Sequence, residues 1–168
     1  MFNSVDTDGL QEKFDTWIGF VEANHHGKNN RINPEIAFVP LKKPLSESTM
    51  ALVTTAGAHL DDQPPFHVAT VAGDAGYRQI PHDVDQSRLR FTHTHYDTSS
   101  AEVDPNVVLP INRLDEAVAE GRVGAASPFH VGMMGFNPDP SELQDVSGPA
   151  VAAMLAEAGV DVVMLVPG

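Results

Sequence analysis

The sequence predicts an α/β fold with a mainly parallel sheet, because short apolar segments alternate with helical ones along the chain. Four segments have the composition of strands, at 50–55, 89–94, 123–126 and 160–166. Two segments have helical periodicity and are followed by glycine, at 110–120 and 148–158. This alternation is typical of parallel strands joined by right-handed crossovers, as in Rossmann-like three-layer folds.

The remaining segments are predicted to be loops. Residues 58–86 are rich in Asp, Gln, Pro and Gly, and we expect them to be irregular, with one short edge strand at 77–80. Residues 99–105 and 138–146 are also predicted loops. After residue 126, Gly132 and Gly135 interleave with methionines in a segment expected to follow the third strand. Glycine there permits a tight backbone approach or a positive φ, and the alternative is an ordinary βα loop.

Two regions are expected along the chain. Residues 1–34 are predicted to form an N-terminal helix, at Gly9–Asn24, and a polar linker, whereas 35–168 form the α/β domain. The sequence ends at Pro167-Gly168, directly after a strand predicted to be buried. Because parallel strands need both faces covered, we expect the domain to be incomplete at its C-terminus or to be completed by another chain.

Composition excludes several classes of function. The 168 residues carry a net charge of −13, which disfavours binding to nucleic acid or to anionic membranes. The sequence contains no cysteine, so disulfides and cysteine metal sites are excluded. With neither an apolar run of membrane-spanning length nor a leader-like start, the protein is expected to be cytoplasmic.

Histidines follow several of the predicted strands. His93 and His95 are two residues apart and precede Asp97, and His59 and His130 lie in other strand-end segments. Because the carboxyl ends of parallel strands share one sheet edge, we expect these imidazoles to line one cleft. Two histidines at this spacing also suit a divalent metal ion, which is an alternative interpretation.

Other familiar motifs are missing from the sequence. It contains no dinucleotide fingerprint, P-loop, GxSxG elbow or HExxH helix. Arg113 is expected either to pair with Asp97, Glu102 or Asp104 or to bind a substrate carboxylate.

Five blocks in order resemble a known family. They are LVTTAGAHL at 52–60, QPPF at 63–66, THTHYD at 92–97, DPNVVLPINRL at 104–114 and GVDVVMLVPG at 159–168. Together they are similar to the selenoprotein B family, the subunits of glycine, sarcosine, betaine and D-proline reductases. The resemblance covers residues 50–168.

The resemblance implies a nucleophile just beyond the last block. In this family a selenocysteine, or sometimes a cysteine, follows the final strand and attacks during reductive C–N cleavage. The residue is therefore expected directly after Gly168. The end at Gly168 is compatible with truncation at a selenocysteine codon, with deliberate shortening or with a natural end.

The resemblance also implies a set of site residues. Those expected to take part in catalysis are His93, His95, Tyr96 and Asp97. Those expected to contact the substrate are Thr54, Thr55, His59, Asn106, Arg113 and His130. No cofactor is expected within the chain itself.

We therefore expect an oxidoreductase subunit that acts on a small amino-acid-like substrate and is inactive as the isolated chain. A partner reductase subunit, an electron-donor protein and a homo- or hetero-oligomer are implied by the same resemblance. Two alternatives remain open. One is a metal-dependent enzyme that uses His93 and His95, and the other is a non-catalytic assembly subunit.

Overall fold

The computed structural model describes residues 39–69, 73–137 and 139–168. Its strands are β1 (Thr49–Thr54), β2 (Ala58–Leu60), β3 (Tyr77–Pro81), β4 (Leu89–Phe91), β5 (Ala125–Ala126), β6 (Phe129–Met133) and β7 (Val162–Val166). Its α-helices are α1 (Ser99–Val103), α2 (Ile111–Ala119) and α3 (Gly148–Glu157). The predicted helix at Gly9–Asn24 and the boundary after residue 34 lie outside the described residues.

The main sheet is mixed and mainly parallel. β1 lies at its centre, parallel to β5 and β6 on one side and to β7 on the other, so that Val53 pairs with both Val131 and Leu165. β3 runs antiparallel to β6 at one edge, which gives the order β3-β6-β1-β7. β2 and β4 form a separate antiparallel pair.

Helices cover both faces of this sheet. Successive residues of a strand point to opposite faces, so Leu52 and Val53 enter different clusters. Leu52 packs in a cluster with Leu114 of α2, and Val53 in a cluster with Leu155 of α3. The result is three layers with β1 buried between two helices. Among the described residues, no helix is long and apolar enough to cross a membrane.

Several predicted elements are confirmed with small changes of boundary. The first and last predicted strands are β1 and β7, and the short edge strand is β3. The two predicted helices are α2 and α3. These segments carry strong apolar periodicity or a clear glycine stop, which are local signals that the tertiary structure preserves.

The predicted place of the segment 89–94 in the parallel sheet is wrong. Residues Leu89–Phe91 do form a strand, but it pairs antiparallel with β2, a strand inside the segment expected to be irregular. Both edges of β1 and both edges of β6 are already occupied by other strands. β4 therefore has no edge beside them, and it forms its own small sheet.

The expectation that the segment after residue 126 follows the third strand is also wrong, since Phe129–Met133 is itself a fully buried strand. A Cβ at Gly132 would lie 1.9 Å from the carbonyl oxygen of Ala58. Gly132 thus permits close backbone packing inside a strand, and does not mark a turn. Helical residues at Ser99–Val103 and Leu143–Ser147 likewise replace predicted loops.

The last strand is not buried as predicted. Val163, Met164 and Leu165 of β7 are 40%, 47% and 75% exposed. Within the described ranges β7 pairs with β1 and with no other strand. In this part of the chain β7 is therefore an edge strand with an apolar composition.

Candidate functional site at the carboxyl edge of the sheet

The carboxyl ends of β1 and β7 meet at one point. Thr54 pairs with Val166, and the next residue, Thr55, donates its N–H to the Val166 oxygen at 3.0 Å. Gly168 in turn donates its N–H to the Thr55 hydroxyl oxygen at 3.1 Å. A Cβ on Gly168 would lie 2.4 Å from the Ala56 Cα, so glycine is needed for this approach.

Four rings lie around this point, and they come from two loops. The Tyr96 hydroxyl donates to the Ala56 carbonyl oxygen at 2.9 Å, which fixes the loop after β4 against the end of β1. The His93 ring lies 4.9 Å from the Tyr96 ring, and the His95 ring stacks on Phe136 at 3.7 Å. We call Thr55, His93, His95, Tyr96 and Phe136 the carboxyl-edge cluster.

The environment of the cluster affects two of its titratable groups. Partial burial, with the neighbouring His95, lowers the pKa of His93 below its ordinary value. Burial, with the charge of Glu102, raises the pKa of Tyr96. Near neutral pH His93 is therefore a neutral imidazole and Tyr96 a protonated phenol. The Nδ1 atom of His93 accepts the His95 N–H at 3.0 Å, so its Nε2 atom carries the proton.

Two of the predicted site residues have structural roles. The Thr54 side chain is fully buried, and its Oγ1 accepts the N–H of Ala56 at 3.2 Å. The Asp97 carboxylate accepts the N–H of Ser99 at 3.0 Å, at the start of α1, and this hydrogen bond lowers its pKa. Both stabilise the loops that carry the cluster.

A cavity of about 800 Å³ lies between β4 and the segment around α1. Its lining includes His59, Arg90, Glu102, Asn106 and Asn112. The Asn106 carboxamide accepts the N–H of Asn112 and donates to Asp104, so its orientation is fixed. Because Ala101 lines this cavity and also packs with Ala56 and Tyr96, the cavity lies near the carboxyl-edge cluster.

His59 has both of its ring nitrogens in hydrogen bonds. Nδ1 lies 2.8 Å from the Leu60 oxygen, and Nε2 lies 2.8 Å from the Thr92 hydroxyl. The ring is 5% exposed, so it forms part of the cavity wall while holding β2 to the end of β4.

The predicted gathering of four imidazoles in one cleft is wrong. His130 lies within β6, is fully buried, and accepts the Leu52 N–H through Nδ1 at 3.1 Å. Its Nε2 lies 3.0 Å from Nδ1 of His82, whose Nε2 lies 3.1 Å from Asp115. Burial, with the charge of His82, lowers the pKa of His130 to about 4. His130 therefore replaces a backbone acceptor inside the sheet.

Arg113 lies on the exposed side of α2. Its guanidinium pairs with Glu116, three residues later, at 2.8 Å, and its side chain is 62% exposed. Of the pairings predicted for it, the structure places none in a direct salt bridge within the described residues, and no contact with the cavity is observed.

Three residues that the structure places here were not predicted as part of the site, although Glu102 was considered as a partner of Arg113. Phe136, Ala56 and Glu102 contact or influence the cluster through stacking, a carbonyl acceptor and charge. Phe136 directly follows Gly135, so an aromatic residue after a glycine-containing segment was the available signal. No signal of spacing or composition distinguished Ala56.

The described ranges contain no group of three or more His, Asp or Glu side chains arranged to hold a metal ion. A metal bound by His93 and His95 would need its other ligands from elsewhere. That alternative stays a prediction.

Comparison with known proteins shows which protein family this chain resembles. The model of the glycine/sarcosine/betaine reductase selenoprotein B family matches residues 24–167. The D-proline reductase subunit gamma of Acetoanaerobium sticklandii is 34% identical over 137 residues, covering 82% of this chain and 55% of that protein. The glycine reductase complex component B subunit gamma of Carboxydothermus hydrogenoformans is 31% identical, covering 75% and 29%.

A third relative is the betaine reductase complex component B subunit beta of Peptoclostridium acidaminophilum. It is 27% identical over 140 residues, covering 82% of this chain and 31% of that protein. The chain thus spans about half, or less, of the length of these curated relatives. No solved structure matches it.

Proposed function

Because this chain belongs to the glycine/sarcosine/betaine reductase selenoprotein B family, we propose that it is the front part of a reductase subunit. The subunit cleaves a C–N or similar bond of a small amino-acid-like substrate. A selenocysteine or cysteine directly after Gly168 supplies the attacking selenol or thiol. Without that residue the 168-residue chain is inactive.

The position of Gly168 carries this proposal. Its N–H is held by Thr55 and its Cα packs on Ala56, whose carbonyl accepts the Tyr96 hydroxyl. A residue that follows Gly168 begins at this edge, because consecutive Cα atoms are about 3.8 Å apart. The neutral His93 ring suits an anionic sulfur or selenium atom at this edge, since its Nε2 carries a proton while Nδ1 accepts the His95 N–H.

His93 is assigned to proton transfer, and Tyr96 to holding the loop that carries His93 at this edge through the Ala56 oxygen. Cleavage of a C–N bond releases an amine that needs a proton, and a positioned side chain supplies it most effectively. The lowered pKa of His93 keeps its imidazole neutral near pH 7. Because Nδ1 accepts the His95 N–H, the ring offers its Nε2 proton. His95, stacked on Phe136, holds the His93 ring through its backbone N–H.

The cavity beside α1 is the proposed substrate site. Its volume of about 800 Å³ lies within the range of small-molecule pockets. Arg90 gives its wall a cationic group, and Glu102 and Asp104 give it anionic ones, which suits the carboxylate and amine of an amino acid. His59 and Asn106 line the same wall, in keeping with the substrate contacts predicted for them.

The same proposal includes a Rossmann-like fold and assembly with other subunits. A Rossmann-like fold is supported by the strand order. The chain passes from β1 to β6 on one side, and the connection from β6 to β7 then crosses to the other side of β1. In Rossmann-like sheets, ligands bind where the strand order reverses in this way. The relatives are named as subunits, which supports a partner reductase subunit and an oligomer. An electron-donor protein and a cytoplasmic location remain predictions.

The test uses the reductase complex, purified by means of a tag on this subunit. The subunit is expressed from a gene that includes the codon after Gly168. Glycine, sarcosine, betaine and D-proline are supplied with dithiothreitol, and substrate loss and reduced product are measured. His93→Gln and Tyr96→Phe are expected to lower turnover by about 100-fold, since the first removes the proton donor and the second the hydroxyl that fixes its loop. The exposed His67→Gln is the matched control and should retain turnover.

Two results would contradict the proposal. One is wild-type turnover in both cluster variants. The other is a residue after Gly168 that bears neither selenium nor sulfur.

A further inference from the structure

Thr54 ends β1 and Thr55 directly follows it, and the hydroxyls of these two threonines have different surroundings. The Thr54 hydroxyl oxygen is fully buried and accepts the Ala56 N–H. The Thr55 hydroxyl is half-buried and accepts the Gly168 N–H at 3.1 Å. Alternation along a strand sends adjacent side chains to opposite faces. Thr55 is thus the threonine that reaches the carboxyl edge.

The backbone around Thr55 is held from three sides. Its own N–H donates to the Val166 oxygen at 3.0 Å, which ties it to β7. A Cβ at Gly135 would lie 3.2 Å from the Thr55 Cβ, so the segment after β6 packs closely on it. Gly168 approaches Ala56 as only glycine permits. The hydroxyl therefore occupies a fixed position beside Gly168.

A hydroxyl has one donor and two acceptor lone pairs. The Thr55 oxygen uses a lone pair for Gly168, and its proton has no acceptor among the described hydrogen bonds. The next residue along the chain lies about 3.8 Å further, measured between Cα atoms. A side chain at that position therefore starts close to this hydroxyl.

We propose that Thr55 is a positioning residue whose hydroxyl holds Gly168 and donates a hydrogen bond to the thiol or selenol group that follows it. This inference rests on the proposed function, because it needs the nucleophile after Gly168. The other titratable groups at this edge are His93, His95 and Tyr96 from the loop after β4, and Glu102 of α1, whose charge acts on Tyr96. Hydrogen bonds to an ionised sulfur favour the anion.

The test measures the reactive thiol directly. The full-length protein, with cysteine after Gly168, is alkylated with iodoacetamide between pH 5 and pH 10, and the midpoint of the rate is recorded. Thr55→Val keeps the shape but removes the hydroxyl, so the midpoint should rise by about one pH unit. Thr55→Ser should keep the wild-type midpoint.

Thr54→Val is the matched control. It removes a hydroxyl one residue away, and should lower the melting temperature without moving the alkylation midpoint. If Thr55→Val does not fold, Thr55→Ala is compared with Thr55→Ser in the same assay. An unchanged midpoint in the folded variant that lacks the hydroxyl overturns the inference.

The proposed function is tested by a different measurement, which is substrate cleavage. Absence of substrate cleavage by the wild-type complex contradicts the proposed function whatever the alkylation midpoints are. Normal cleavage together with equal midpoints in Thr55→Val and Thr55→Ser contradicts only the role of Thr55.

Discussion

Two pairs of histidines in this protein have nearly the same ring geometry and opposite surroundings. The His82 and His130 rings are 5.2 Å apart at 80°, and the His93 and His95 rings are 5.8 Å apart at 89°. The first pair reaches from the sheet interior to Asp115 on α2. The second pair lies at the carboxyl edge beside Tyr96 and Phe136.

The difference teaches how to separate structural imidazoles from candidate functional ones. His130 accepts a backbone N–H through Nδ1, so its proton is on Nε2 and is donated to His82, whose own proton then faces Asp115. Every proton in this series of hydrogen bonds, from His130 through His82 to Asp115, therefore has an acceptor. At the carboxyl edge, by contrast, the Nε2 proton of His93 has no acceptor among the hydrogen bonds of the described residues.

The largest expected effect is on stability, and it separates the two pairs. His130→Leu leaves the buried Leu52 N–H and His82 without their partner, and should cost about 3 kcal/mol of unfolding free energy. His95→Leu, at an exposed site, should cost less than about 1 kcal/mol. Urea unfolding of both variants measures the contrast. Equal losses of unfolding free energy in the two variants would contradict the distinction between the buried and the exposed histidine pair.

The next effect is the pH dependence of stability. The pKa of His130 is about 4 in the folded protein and about 6.5 when unfolded, so the unfolded chain binds this proton first as the pH falls. The unfolding free energy should therefore fall between pH 6.5 and pH 4, by about 3 kcal/mol from this group. Above pH 6.5 the group contributes no pH dependence.

His130→Asn is the control for that measurement. Its side-chain oxygen can accept the Leu52 N–H in place of Nδ1, but the group does not titrate. The difference between the wild-type and variant curves should shrink by about 3 kcal/mol from pH 6.5 to pH 4. Parallel curves would mean that His130 is not the group that titrates.

The smallest effect is expected at Arg113, which belongs to neither histidine pair. Arg113→Ala removes an exposed guanidinium that pairs with Glu116, and should change the KM of the assembled complex by less than about two-fold. Asn106→Ala, in the cavity wall, is the comparison and should raise KM by about ten-fold through a lost polar contact. A large change in KM for Arg113→Ala would instead indicate that Arg113 contacts the substrate.

Much of the fold was predictable because its signals are local. The apolar run of β1, the apolar spacing in α2 and the glycine after α3 each indicate an element without knowledge of its neighbours. β4 and β6 were placed wrongly because pairing partners are not local. Gly132 has the same sequence signature in a loop as in a strand where another backbone packs against it.

The candidate site was predictable only in part. The blocks that resemble the family pointed to His93, His95, Tyr96 and Thr55, and these residues do meet at one edge. His130 belongs to the same series in the sequence, yet its ring is enclosed by β1 and His82. Spacing along the chain does not reveal which strand a side chain faces.

By itself the sequence determined the family, the acidic surface charge, the lack of cysteine and the alternation of strands and helices. These depend on residue identity and short-range periodicity, which folding does not alter. The tertiary structure alone decided which threonine reaches Gly168 and which histidines are buried. Those outcomes depend on the register between β1, β6 and β7, which is set by packing between residues far apart in the chain.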